Sequence, residues 1–150
     1  MPITPSERLE ALHNGEDPLF IARLRSGFAV MSNQQYLPGY SLLLAYPEVS
    51  QLSDLDHAHR VHFLEDMARL GDAVMKSTGC VRVNYAIFGN LDQFLHAHVW
   101  PRYASEPPDM AVKPPINYSK QFRDAPENRY HPSRHFDLQR QIAARLIASE

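Results

Sequence analysis

The chain has 150 residues, 44% of them apolar and 21% charged, with 15 Lys and Arg against 17 Asp and Glu for a formal net charge of −2. That length suits one domain and buries roughly 70% of the unfolded surface, enough for a core without covalent staples. Balanced charge offers no block for nucleic acid or an anionic membrane, the near-apolar run Tyr40 to Tyr46 falls far short of the ~20 residues of a membrane span, and the lone Cys80 excludes an internal disulfide or a multi-cysteine zinc site.

The start, Met1-Pro2-Ile3-Thr4-Pro5, has no basic or apolar leader, so a cytoplasmic protein is expected and the Asn117-Tyr118-Ser119 sequon is expected to stay unmodified. A first helix opens with Thr4 as N-cap, Pro5 at the first helical position and Glu7 closing a capping box, and Asn14-Gly15 ends it. Asp17-Pro18 opens a short turn or helix. Gly27 to Ser32 reads as a strand, Leu37-Pro38-Gly39 as a turn, and Tyr40 to Tyr46 as a strand whose Leu42-Leu43-Leu44 run suggests burial on both faces. Asp54 or Asp56 caps a long helix over 57–77, with Val61, Leu64, Met67, Ala68, Val74 and Met75 as its apolar stripe and Gly79 as its stop. Val81 to Phe88 and Gln93 to Tyr103 are further strands. From Ser105 to Pro132 the chain is rich in proline, including Pro107-Pro108 and Pro114-Pro115, and is expected to run as an ordered irregular arm over the surface. Ser133 caps a last helix, over about 133–149, whose apolar face carries Phe136, Leu138, Ile142, Leu146 and Ile147. Strands joined by turns, with helices before, between and after, indicate an α+β domain spanning 1–150, its core over about 18–103, with a mainly antiparallel sheet.

Eight histidines are many for this length. His57, His59 and His62 begin the long helix, where a metal pair would lack a third ligand and neighbouring charges mark a solvated face. His131 and His135 read as a surface cap, and His13 as a cation suited to a helix C-terminus. The strand Phe94-Leu95-His96-Ala97-His98-Val99-Trp100-Pro101-Arg102 differs. Residues two apart share a face, so Leu95, Ala97 and Val99 face the core while Phe94, His96, His98 and Trp100 share the other side, successive members about 7 Å apart. Spacing alone leaves open two half-buried histidines packed on rings, or a pair that does chemistry. Upstream, Gly89-Asn90 can form a turn whose backbone N–H groups bind an anion. A neutral imidazole attacks phosphorus, and a neighbouring imidazolium stabilises phosphoryl oxygens.

These residues resemble the histidine triad superfamily, nucleotide hydrolases and transferases, and most of all its diadenosine polyphosphate hydrolase type. The similarity runs from about Phe28 to Tyr103: Phe28 to Asn33 with Leu37-Pro38-Gly39-Tyr40 resembles the family's strand–turn–strand with Pro-Gly-His, Leu52-Ser53-Asp54-Leu55 its approach to the long helix, and Gly89-Asn90 followed by Leu95 to Arg102 its Gly-Gln and His-x-His-x-His-x-x-Pro-Arg signature. Aligned on Pro101-Arg102, Phe94 replaces the first histidine, Tyr40 the histidine of Pro-Gly-His, and Leu91 the usual Ser or Thr. The resemblance implies a sheet of about five strands with a long helix and a C-terminal helix. It implies a homodimer, with Met67, Val74 and Met75 as spare apolar surface, and hydrolysis at the α-phosphate of a dinucleoside polyphosphate or related nucleotide, with no nucleic-acid or membrane partner. His96 falls on the nucleophile and His98 on the third histidine. Ser32 with Asn33 falls where the ribose is held, and Asn84 and Asn90, beside Gly89, where amides contact phosphate. No cofactor and no metal held by the protein is implied; magnesium arrives bound to the substrate phosphates. The alternatives are a nucleotide-binding module with little turnover, a nucleotidyltransferase, or a metal enzyme using His96 and His98 as ligands.

Overall fold

The computed structural model describes residues 3–149, so the leader reading that involves Met1 and Pro2 lies outside the described residues. The first helix, α1 (Pro5–His13), has the expected start: Thr4 accepts from the Glu7 N–H and Glu7 returns the bond to the Thr4 N–H. Strands β1 (Phe20–Arg23), β2 (Gly27–Met31), β3 (Ser41–Ala45), β4 (Arg82–Ala86) and β5 (His96–Arg102) form one sheet in the order β1-β2-β3-β5-β4, and every neighbouring pair is antiparallel. The α+β fold is as expected. The strand that the sequence pattern did not place is β1, a four-residue edge strand with a register shift between Phe20 and Ala22. So short and irregular an element carries no usable alternation.

Helix α2 (His57–Thr78) is capped by Asp56, which accepts from the His59 N–H, and ends at Gly79 in the left-handed conformation at φ 67°. Its buried face differs from the expected stripe. Phe63, Asp66, Leu70, Gly71, Ala73 and Val74 are buried, whereas Val61, Leu64, Ala68 and Met75 are exposed. The physical reason is Asp66. Its carboxylate accepts from the Ser26 N–H (2.8 Å), the Ser26 hydroxyl (2.7 Å) and the Arg69 guanidinium (3.1 Å), so a charged residue sits on the inner face without an unmet hydrogen bond.

Helix α2 lies against β3, β4 and β5, and α5 (Pro132–Ala148) packs on α2 and β1. The N-cap of α5 is His131, not Ser133: the His131 ring accepts from the Ser133 N–H, and Pro132 takes the first helical position. Here too the inner face is partly polar. His135, Gln139, Ile142 and Leu146 are buried while Phe136 and Ile147 are exposed, because the Gln139 amide donates to the carbonyls of Pro18 (3.0 Å) and Phe20 (2.7 Å) and so ties the helix to the sheet edge. His135 is therefore no surface group.

The proline-rich arm is ordered, as expected. It is a chain of single turns, with α3 (Pro108–Ala111), α4 (Lys120–Arg123) and 3-10 turns at Pro115–Asn117 and Pro126–Asn128. Arg102 at the end of β5 holds it. The buried guanidinium donates to both oxygens of Glu106, to the Asn84 side chain, and to the carbonyls of Met110, Ala111 and Lys113. The Tyr118 hydroxyl adds a bond to Glu106 at 2.8 Å. Tyr118 then joins Tyr36, Leu37, Tyr40 and Trp100 in a second apolar cluster, which closes one end of the sheet face opposite α2. No helix among the described residues is long and apolar enough to cross a membrane.

Candidate active site

Strand β5 divides its residues as the two-residue period requires. Ala97 and Val99, with Leu95 just before the strand, are in the main core, and Phe94 packs into the same cluster. On the other side the rings form a continuous stack: Phe94 on His96 (centroids 4.7 Å apart), His96 edge-on to His98 (5.0 Å), His98 flat on Trp100 (4.9 Å), and Trp100 on Tyr40 (4.9 Å). Phe88 closes over His98 at 5.6 Å. The register Leu44↔His96 and Leu42↔His98 fixes which side the imidazoles take.

The two histidines are held by different partners, and the partners set their tautomers. His96 Nδ1 lies 2.8 Å from the Phe94 carbonyl. A carbonyl only accepts, so Nδ1 carries the proton, and in the neutral form of the ring the lone pair is on Nε2. His98 Nδ1 lies 2.7 Å from the Tyr40 hydroxyl. Burial pushes the Tyr40 phenol far above its ordinary pKa, so the phenol stays protonated and is able to donate this bond. Burial first, and the neighbouring His96 second, lower the His98 pKa to about 4. His98 is therefore neutral, and with the Tyr40 phenol donating it accepts at Nδ1 and presents an Nε2–H. This departs from the imidazolium expected as the charge-stabilising neighbour: desolvation favours the uncharged ring. One imidazole offers a lone pair and the other a donor, on the same strand face.

The Gly89-Asn90 turn forms with Gly89 at φ 71°, a conformation that favours glycine. Both residues line a cavity of about 270 Å³ together with Gln51, Gln93, Phe88 and Phe94, and the last two are the rings that pack on His98 and His96. Asn90 is exposed, and Leu91 is 94% exposed to solvent. The other expected residues lie elsewhere. Asn84 sits across from Trp100 in the register, and its carbonyl oxygen accepts from Arg102 at 2.8 Å. Ser32 is buried and accepts from the Gln34 N–H. Asn33 lines a separate cavity with Arg8 and Asp17, and none of the residues lining it is a histidine. Phe88 and Phe94 thus join the wall of the Gly89-Asn90 cavity to the rings of His98 and His96, neither of which lines that cavity itself, and Asn33 lies in a separate one.

Sequence reasoning noted Tyr40 only as a departure, and it missed Phe88. The signal for Tyr40 was the strand pairing. Tyr40 lies two residues before Leu42, on the same side of the sheet, and Leu42 pairs with His98.

No protein-family model matches the chain. Among curated proteins it is 29% identical to an AP-4-A phosphorylase of Mycobacterium tuberculosis, over 61% of this chain and 50% of that protein, so the chain spans about half the length of the curated relatives it matches. Among solved structures it superposes on a histidine triad protein from Marinobacter aquaeolei VT8 with a TM-score of 0.73 and 20% identity, covering 95% of this chain and 94% of that one. A histidine triad protein from Sinorhizobium meliloti 1021 gives a TM-score of 0.70 and 20% identity over 96% and 94%. The sheet order, the long helix and these superpositions agree: the chain has the fold of the histidine triad proteins.

Proposed function

We propose that the protein cleaves a dinucleoside polyphosphate, or a related nucleotide with a phosphate leaving group, at the α-phosphate through His96. The observation that carries this reading is the side-by-side placement of His96 and His98, ring centroids 5.0 Å apart, with Nδ1 of each tied to a different partner. His96 Nε2 attacks phosphorus, the bond from phosphorus to the leaving oxygen breaks, and its electron pair goes to the departing phosphate. His98 Nε2–H donates a hydrogen bond to the phosphoryl or leaving oxygen. A polyphosphate departs as a stable anion, so a hydrogen bond suffices where an alkoxide would need a proton. Water then attacks the nucleotidyl-imidazole, loses its proton to solvent and releases the nucleoside monophosphate. Backbone N–H groups at Gly89-Asn90, with the Asn90 amide, hold the phosphate.

The mycobacterial relative is named a phosphorylase. In that variant of the reading inorganic phosphate takes the nucleotidyl group in place of water, and the protein acts as a nucleotidyltransferase. Incubation with diadenosine tetraphosphate, with and without inorganic phosphate, separates the two: water gives AMP and phosphate gives ADP. A chelator arm tests whether magnesium on the substrate phosphates is needed. A second reading, a nucleotide-binding module with little turnover, is favoured by one observation: His96 is only 8% exposed beneath Phe94. AMP binding without product from any nucleotide would support it. The reading includes a homodimer and, with a lone buried thiol, a cytoplasmic setting.

A further inference from the structure

The turn that joins β2 to β3, residues 32–40, holds a buried amide to which the reaction at His96 gives no part. Gln35 is only 3% exposed. The bonds of its carboxamide all go to main-chain atoms at the two ends of the turn. Nε2 donates to the carbonyls of Ser32 and Tyr40, each at 2.8 Å, and Oε1 accepts from the Gly39 N–H at 2.9 Å. Gly39 has φ 103°, a conformation that favours glycine, so the chain bends sharply where the amide grips it. Gln35 is in turn seated by the arm. Its main-chain N–H donates to the Asn128 carbonyl at 2.6 Å. Beside it the Tyr130 N–H donates to the Asn33 carbonyl at 2.8 Å, and the Gln34 amide donates to Asp124.

This clamp holds Tyr40. The ladders on both sides of β3 end at Ser41, which pairs with Met31 and with Val99, so Tyr40 lies one residue beyond them. Its carbonyl accepts from the Gln35 amide and from the Ser32 N–H (3.0 Å), and its own N–H donates to the Leu37 carbonyl (2.9 Å). All three partners belong to the turn itself. From that position the ring packs between Tyr36 and Trp100, and the hydroxyl reaches His98 Nδ1 at 2.7 Å. Hydrogen bonds weaken steeply with distance, so a movement of the turn by about 0.5–1 Å breaks this contact. Loss of the carboxamide takes from the buried Ser32 carbonyl and Gly39 N–H the partner they have here, and the turn moves to replace it.

We propose that Gln35 is a positioning residue: its carboxamide, seated by the arm through Asn128, fixes the 32–40 turn so that the Tyr40 hydroxyl stays on His98 Nδ1. The inference rests on the proposed reaction at His96 for its effect on rate, and not for its effect on the His98 ring.

The test uses the full-length protein with Gln35→Met, which removes the three side-chain bonds and keeps the length of the side chain. Gln139→Met is the control, because it removes another buried amide shared by two carbonyls, at the sheet edge beside β1. Nitrogen-15 spectra of the histidine rings are recorded without ligand. Gln35→Met turns the Nε2–H signal of His98 into a mixture of tautomers, and Gln139→Met leaves that signal as in the wild type. With diadenosine tetraphosphate, Gln35→Met lowers kcat by about 10-fold and leaves KM nearly unchanged. Adding Gln35→Met to Tyr40→Phe lowers kcat no further, because both substitutions act on one hydrogen bond. An unchanged His98 signal in folded Gln35→Met, the same change in Gln139→Met, a loss confined to KM, or losses that multiply in the double variant overturns the positioning role. Absence of turnover in the wild type overturns the reaction at His96, while the spectra still decide the role of Gln35. Should Gln35→Met fold poorly, Gln35→Glu keeps an acceptor for the Gly39 N–H, loses both donors, and is read in the same way.

Discussion

The Tyr40 hydroxyl and His98 Nδ1 meet at 2.7 Å across adjacent strands, and with the phenol donating this bond leaves the His98 proton on Nε2. Tyr40→Phe keeps the ring stacked on Trp100 but removes the donor. His98 then loses its tautomer preference, and its buried Nδ1 lacks a partner. The expected cost in stability is about 1–3 kcal/mol, and turnover falls by about 10–10²-fold, part of what a positioned proton-bearing group contributes. Nitrogen-15 spectra of the histidine rings check the mechanism directly, with an Nε2–H signal for His98 in the wild type and a mixture of tautomers in the variant.

Stability should decline in mild acid because of the same histidine. The folded pKa of His98 is about 4 against an ordinary 6.5, lowered first by burial. As pH falls, the unfolded chain takes up this proton before the folded one does. The contribution is therefore fully present above about pH 6.5, lost progressively toward pH 4, and on the order of 3 kcal/mol at most. His135, also lowered mainly by burial, acts in the same direction. Thermal unfolding from pH 7 to pH 4.5 should show a falling Tm, and His98→Gln should flatten the curve.

Arg102 anchors the arm, so Arg102→Met should release it. Glu106 would be left without its cation, with an expected cost of about 3–5 kcal/mol. Limited proteolysis should then cut within 105–132, a stretch resistant in the wild type. Arg102→Met with Glu106→Gln should recover part of the stability, because the uncompensated charge is gone.

The outer face of α2 carries the exposed Val61, Leu64 and Met75. Of the residues expected there, Val74 is core and Met67 is half-buried, so only Met75 belongs to the spare surface. A homodimer of about 34 kDa from the 17.2 kDa chain is expected by light scattering, with Leu64→Glu shifting it to monomer. A wild-type mass near one chain would remove the dimer from the account.

Elements with a local cause were legible in the sequence. Thr4 and Glu7 announce α1, Gly79 stops α2, and the alternation from Phe94 to Trp100 places both imidazoles on one face. Inner helix faces were misread where polar residues are buried, because the Ser26 bonds that satisfy Asp66 and the main-chain carbonyls that satisfy Gln139 come from distant segments. The site divides the same way. His96, His98 and the Gly89-Asn90 turn follow from spacing and resemblance. The Tyr40 bond, the Arg102 anchor and the position of Phe88 over His98 depend on strand register and on the course of the arm, neither of which a local pattern encodes.

The central claim is that His96 forms a covalent nucleotidyl adduct. Its Nδ1–H is held by the Phe94 main-chain carbonyl, so the neutral ring has its lone pair on Nε2 although the Phe94 side chain cannot hydrogen-bond. The most direct measurement is intact-protein mass spectrometry of rapidly quenched reactions with diadenosine tetraphosphate, with the wild type beside His96→Ala. The account predicts a transient adenylyl mass on the wild type, mapped to the peptide containing His96. In His96→Ala it predicts no adduct and no turnover, with AMP affinity retained. Full turnover by His96→Ala would contradict it.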